Sequence, residues 1–196
     1  MIIKHRVNTI QELSAVPISY GVEIDLRIHN GIVVLAHDPF EEGEEFEEWL
    51  FHYHHKLLIL NVKEDGLENT ILGKLLKKGV TDFFFLDQPF PTLRKSALSN
   101  LPTSLRLSEY ENPMSNLDFV VKWIWLDSFS GDWKYLEKHA EWIRSGEFST
   151  CLVSPELQGR AIGDEPVKIL RIMRDLGIQM TAVCTKEPKV WEGLQE

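Results

Sequence analysis

The stretch GVEIDLRIHNGIVVLAHDPF, residues 21–40, sets two carboxylates two positions apart in an apolar run, turns at Asn30-Gly31, and resumes as a second apolar run that ends in His37-Asp38. Side chains two apart on a strand share a face, so Glu23 and Asp25 point into one space. Like charges there repel unless something positive lies between them, and an unpaired carboxylate among Val22, Ile24 and Leu26 is costly. Asn-Gly is a strong two-residue hairpin turn because both positions accept positive φ. It predicts an extra strand over 32–36 beside the strand over 22–27, and brings His37 back towards the acid pair.

Outward from this hairpin the chain alternates. Short runs rich in β-branched and aromatic residues occur at 2–5, 22–27, 57–63, 82–87, 104–108, 123–127, 150–154 and 180–185. Between them lie stretches with apolar residues three and four apart: TIQELSAV, EEFEEWLFHYHH, LENTILGKLLKKG, PTLRKSALSN, NPMSNLDFV, GDWKYLEKHAEWIRSG, EPVKILRIMRDLG and PKVWEGLQ. Thr9 to Glu12 fits a capping box, Gly79, Gly146 and Gly177 sit where helices should stop, and Pro91, Pro166 and Pro188 sit near helix starts.

Strands apolar on both faces and separated by helices signal a parallel sheet with helical cover. Repetition of the unit along the chain predicts an α/β fold, a compact (β/α)8 TIM barrel with the hairpin strand added after the second barrel strand. The expected organisation is a single domain over 1–196. An open doubly wound sheet is the alternative, but no glycine-rich phosphate loop follows the first strand.

With 43% hydrophobic and 26% charged residues, the 196-residue chain has ordinary globular composition. A formal net charge of −9 argues against binding nucleic acid or an anionic membrane surface by charge. No apolar stretch approaches the roughly 20 residues of a membrane span, so no stable membrane insertion is expected. Met1 leads into the strand-like MIIKH with neither a basic n-region nor a signal cleavage site, which predicts a cytoplasmic protein. Cys151 and Cys184 each lie inside an apolar run and are expected to be buried free thiols. The oligomeric state is not legible.

Chemistry in such a barrel sits at the C-terminal ends of the strands. Two accounts of Glu23 and Asp25 stand side by side there. A hard divalent cation, Mg2+ or Ca2+, would relieve their repulsion; alternatively Arg27, Lys63 or Arg106 pairs with them in a buried ion network. Asn61 and Lys63 repeat the two-residue spacing on the next strand, offering a neutral oxygen ligand and a cation for phosphate or carboxylate. His5 and His37 stand at strand ends, where two imidazoles can supply a base and an acid. His52, His54 and His55 invite a metal reading, but the segment fits an amphipathic helix with Phe46, Trp49 and Leu50 inward and histidines late, where the helix dipole favours them. The acids over 41–48 read as a solvated face. Trp123 and Trp125 read as core residues or as the wall of a pocket. Arg106, Glu109, Asp127 and Glu156 also fall near strand ends, with no role assigned.

HRVN at 5–8, EIDLR at 23–27, HDPF at 37–40 and NVK at 61–63 resemble the motifs of the glycerophosphodiester phosphodiesterases, in the wider phospholipase C-like phosphodiesterase superfamily. The resemblance implies a metal-dependent phosphodiester hydrolase acting on a small glycerophosphodiester-like substrate. His5 and His37 would be the acid–base pair, Arg6 and Lys63 would bind the phosphate, and Glu23, Asp25 and Asn61 would hold the divalent metal. A neighbouring substrate hydroxyl would attack phosphorus, and a cyclic phosphate would form as the alcohol leaves. Two positions depart from the pattern. Val7 replaces the glycine of His-Arg-Gly, which predicts a different backbone or a bulkier wall after the first strand. Asn61 replaces the third-strand glutamate and removes a formal charge, with Glu64, Asp65 and Glu68 downstream as candidates to restore it. The alternative implied function is a barrel that binds a phosphorylated ligand without turning it over.

Overall fold

Runs of β-branched and aromatic residues become strands, and the segments with three-and-four spacing become helices. The computed structural model describes residues 1–114, 117 and 119–194. They fall into two compact units, Lys4–Thr103 and the combination of Met1–Ile3 with Ser104–Glu196.

In the unit Lys4–Thr103, strand β2 (Gly21–His29) is the organising element. It pairs antiparallel with β3 (Ile32–Leu35) and parallel with β5 (Leu58–Val62). The Asn30-Gly31 turn has φ of 50° and 80°, the left-handed pair that Asn and Gly accept, so the expected hairpin forms. A two-residue strand β4 (Glu44–Glu45) extends the antiparallel side, and β6 (Phe83–Leu86) extends the parallel side. Helices α1 (Ile10–Ala15), α2 (Phe46–Phe51), α3 (Glu68–Lys78) and α4 (Phe90–Leu98) complete this unit. The capping box at Thr9 and Glu12 is present in both directions, and Gly79 ends α3 at φ 77°.

Strand alternation divides β2 and β5 into two faces. Val22, Ile24 and Leu26 join Leu58, Leu60 and Val62 in one buried apolar cluster with Phe46, Trp49, Ile71 and Leu75 of the helices. The intervening residues Glu23, Asp25, Ile59 and Asn61 turn to the opposite face. Truncating fully buried Trp49 to alanine would cost about 3–5 kcal/mol.

The second unit repeats the parallel pattern. Strand β7 (Ser104–Leu107) pairs with β8 (Trp123–Leu126), β8 with β9 (Ser149–Val153), and β9 with β10 (Ala182–Thr185), all parallel. Between them come α5 (Tyr135–Ser145) and α6 (Glu165–Asp175), with α7 (Pro188–Glu192) after β10. With β1 (Ile2–Lys4), every barrel strand read from the sequence is present among the described residues, together with the extra hairpin strand. Cys151 and Cys184 are buried and outside any disulfide, and Trp125 is a core residue.

One expectation needs adjustment. Helix α2 is shorter than EEFEEWLFHYHH suggests: Glu44 and Glu45 pair with Leu35 and Val34 in the sheet, and the helix stops at His52. The chain turns there because Tyr53 packs inward on Trp49, with ring centroids 5.7 Å apart. His54 and His55 therefore lie beyond the helix, not in its last turn. The expected helix NPMSNLDFV includes positions 115, 116 and 118, which lie outside the described residues.

Candidate active site

The turn after β1 is built around Glu23. Arg6 adopts a left-handed backbone, φ 53°, a conformation a residue with a Cβ adopts at some cost. That turn aims the Arg6 N–H at Glu23 Oε2, 2.8 Å away, and the next N–H, of Val7, donates to the Glu23 carbonyl at 2.8 Å. Val7 is itself buried in the apolar cluster. The valine side chain at this position is thus absorbed by the core, and positive φ falls at Arg6. Asn8 grips Asp25 twice: its Nδ2 donates to Asp25 Oδ2 at 3.0 Å, and its Oδ1 accepts from the Asp25 backbone N–H at 2.9 Å.

Register places Asp25 beside Asn61 and Glu23 beside Ile59. The two carboxylates are almost completely buried, yet their surroundings differ. Asp25 has Lys63 Nζ 3.0 Å from Oδ1 and Arg6 Nε 3.4 Å from Oδ2. Glu23 accepts a hydrogen bond from Asn61 Nδ2 at 3.2 Å, and its Oε2 lies 3.7 Å from His5 Nε2. Burial, reinforced by the Asp25 charge, pushes the Glu23 carboxyl up to about 7, against the lowering effects of the Arg6 N–H, Lys63 and Asn61. Lys63 and Arg6 both bring positive charge to the acid pair. Arg27 turns instead to Glu64, and Arg106 to Asp127 and Glu111.

Among the described residues, no three His, Cys, Asp or Glu side chains gather as a metal cluster. The donor set that fits a hard cation is two carboxylates plus an amide oxygen. Asn61 Oδ1 supplies that oxygen, and it is buried without a hydrogen-bond partner. The Asn61 amide nitrogen is already oriented by Glu23, which leaves the oxygen as the free donor. The downstream acids bond elsewhere: Glu64 pairs with Arg27 at 3.4 Å, Asp65 accepts from Thr92, and Glu68 accepts from Gln88.

His37 arrives by a different route. The Ala36 N–H donates to the Asp25 carbonyl at 3.1 Å, so His37 leaves the β2–β3 ladder at the level of the acid pair. Its ring is part exposed, with Nδ1 2.8 Å from Asp38 Oδ1. Its carbonyl accepts two hydrogen bonds from Arg27, from Nε and Nη2, each at 3.0 Å. The network of His5, Arg6, Glu23, Asp25, Asn61 and Lys63 is continuous through side-chain contacts, and His37 is attached to it through backbone and Arg27. Asn8 and Arg27 complete the arrangement without having been singled out from the sequence for these tasks. Asn8 directly precedes a capping box and reads there as an ordinary loop polar residue.

In the other unit, the residues noted near strand ends are engaged by local partners. Asp127 receives Arg106 and both Gln158 contacts, at 3.0 and 2.9 Å. Glu109 accepts from the backbone and hydroxyl of Ser130, each at 2.6 Å. Glu156 accepts from Thr185 Oγ1 at 2.6 Å and the Lys186 N–H at 2.9 Å.

Strand–helix alternation around mostly parallel strands defines the class of fold, an α/β fold of the TIM-barrel type. Two solved structures share it. A glycerophosphodiester phosphodiesterase from Agrobacterium tumefaciens str. C58 superposes with a TM-score of 0.71 at 12% identity, over 99% of this chain and 98% of that one. A glycerophosphoryl diester phosphodiesterase from Parabacteroides distasonis ATCC 8503 superposes with a TM-score of 0.63 at 11% identity, over 94% and 82%. No family model matches the sequence, and no curated protein matches it.

Proposed function

We propose that this protein is a metal-dependent phosphoric diester hydrolase that acts on a small glycerophosphodiester-like substrate. The observation that carries the reading is the buried pair Glu23 and Asp25, joined to His5, Arg6, Asn61 and Lys63 in one network. A scaffold needs no such concentration of buried charge. The fold shared with two solved phosphodiesterases supports the same reading.

Arg6 and Lys63 present cations to the phosphoryl oxygens, Arg6 through a guanidinium that is 39% exposed. His37 has Nδ1 engaged by Asp38, which leaves Nε2 to exchange a proton with substrate. His5 stands beside Glu23 Oε2, which orients its ring. One imidazole takes the proton of the attacking substrate hydroxyl and the other delivers a proton to the leaving alkoxide, so the P–O bond to the alcohol breaks as the new one forms. Glu23, Asp25 and Asn61 Oδ1 would hold Mg2+ or Ca2+. When bound, the metal offsets charge on the phosphoryl oxygens and lowers the pKa of the attacking hydroxyl. The described residues contain no helix long and apolar enough to cross a membrane.

The test is turnover of a phosphodiester panel by purified protein with Mg2+, Mn2+ or Ca2+, with chelator, and beside Glu23→Gln and His37→Ala variants. Metal-dependent hydrolysis lost in both variants is the expected result. Activity that survives chelation and both substitutions overturns the mechanism. Tight binding of a phosphate ester without turnover identifies a binding protein instead.

A further inference from the structure

We propose that Arg27 is the positioning residue of His37, a side chain on the acid-bearing face of β2 that fixes where the imidazole stands. The role of His37 in this inference rests on the phosphodiesterase reading; the clamp itself does not. Arg27 follows Asp25 by two positions and so shares its face. The side chain is mostly buried and delivers Nε–H and Nη2–H to one acceptor, the His37 carbonyl, both at 3.0 Å. Two N–H groups of one planar guanidinium converging on one oxygen fix its direction as well as its distance.

The placement matters because His37 is the first residue past the Ala36–Asp25 bond of the hairpin. Beyond it the chain runs through Phe40, 96% exposed and at φ 68°, before it rejoins the sheet at Glu44. An imidazole at the start of such a segment needs a fixed backbone to keep its ring within the tolerance of proton transfer. The remaining Arg27 nitrogen, Nη1, pairs with Glu64 Oε1 at 3.4 Å, immediately after Lys63. The same guanidinium therefore ties the His37 segment to the chain just past β5, the strand that carries Asn61.

Arg27→Lys and Glu64→Gln separate a positioning role from a structural ion pair. Lysine keeps the charge near Glu64 but cannot place two N–H groups on one carbonyl. Arg27→Lys is expected to lower kcat by about ten- to hundredfold with KM little changed, while Glu64→Gln changes kcat by less than about threefold. The second readout is the His37 ring resonance in NMR, assigned by its loss in His37→Gln. In Arg27→Lys it should broaden or split while the His5 resonance does not. Equal effects of both variants, or an unaltered His37 resonance in Arg27→Lys, overturn the proposal. If the wild-type protein turns over no phosphodiester, the enzymatic reading fails and the ring resonance still decides the clamp. In wild-type protein the Arg27 Nε–H should exchange slowly with solvent; exchange at the rate of a free arginine overturns the clamp even if Arg27→Lys does not fold.

Discussion

Lys63 Nζ lies 3.0 Å from Asp25 Oδ1, reaching it from just past the end of the strand beside the one that carries Asp25. With Arg6 on the other carboxylate oxygen at 3.4 Å, it gives Asp25 two cations while Glu23 has neutral donors and a histidine. Asp25 is thereby held between two counter-charges, and Glu23 is left sensitive to pH and to an added cation.

Removing that cation should destabilise the fold. Lys63→Met leaves a buried carboxylate with Arg6 as its remaining cation, and breaking a buried pair costs up to about 3–5 kcal/mol, less here because the ammonium is partly exposed. Urea denaturation of Lys63→Met should show the loss, and the double variant Lys63→Met with Asp25→Asn should recover part of it. A Lys63→Met midpoint equal to the wild type contradicts the assignment of Lys63 as Asp25's counter-charge.

Stability of the metal-free protein should depend on pH through Glu23. Its folded pKa is raised to about 7 from an ordinary 4.5, so between those values the folded state holds more of this proton than the unfolded state. The contribution is present below about 4.5 and is lost as pH rises through about 7. Denaturation midpoints in chelator at several pH values should fall across that window relative to Glu23→Gln, in which the carboxyl is absent. Parallel curves for the two proteins would exclude Glu23 as the titrating group.

Divalent metal should raise the melting temperature of the wild type with the logarithm of its concentration above Kd, since a ligand of the folded state stabilises it by mass action. Glu23→Gln and Asp25→Asn should lose most of the shift. Asn61→Asp restores a formal charge to the donor set and should tighten binding by on the order of tenfold, read by calorimetry with Mg2+ or Ca2+. Weaker binding by Asn61→Asp shows that the amide oxygen is not a ligand.

The two histidines should be separable from the metal. His5→Ala and His37→Ala are each expected to reduce kcat by on the order of 10²- to 10⁴-fold with the metal-induced melting shift retained. A variant that keeps wild-type kcat removes that histidine from the acid–base pair.

Local chemistry made much of this legible. The hairpin follows from Asn30-Gly31 because the turn needs positive φ at both positions, and the common face of Glu23 with Asp25, and of Asn61 with Lys63, follows from the two-residue period of a strand. The extent of α2 was less legible: EEFEEWLFHYHH has helical spacing, but Glu44 and Glu45 belong to the sheet and Tyr53 packs inward on Trp49. Spacing within a segment carries no information about a neighbour that competes for its backbone.

The partners of the acid pair show the same division. By itself the sequence determined which side chains could face the same space, because strand periodicity is local. Only the tertiary structure decided that Lys63 and Arg6 reach Asp25, that Asn8 grips it from the turn after β1, and that Arg27 turns to the His37 carbonyl and Glu64. Those choices depend on strand register and on a left-handed turn at Arg6. Both are fixed when segments distant in sequence pack, and charge alone cannot tell one arginine from another until the backbone has set which of them is within reach.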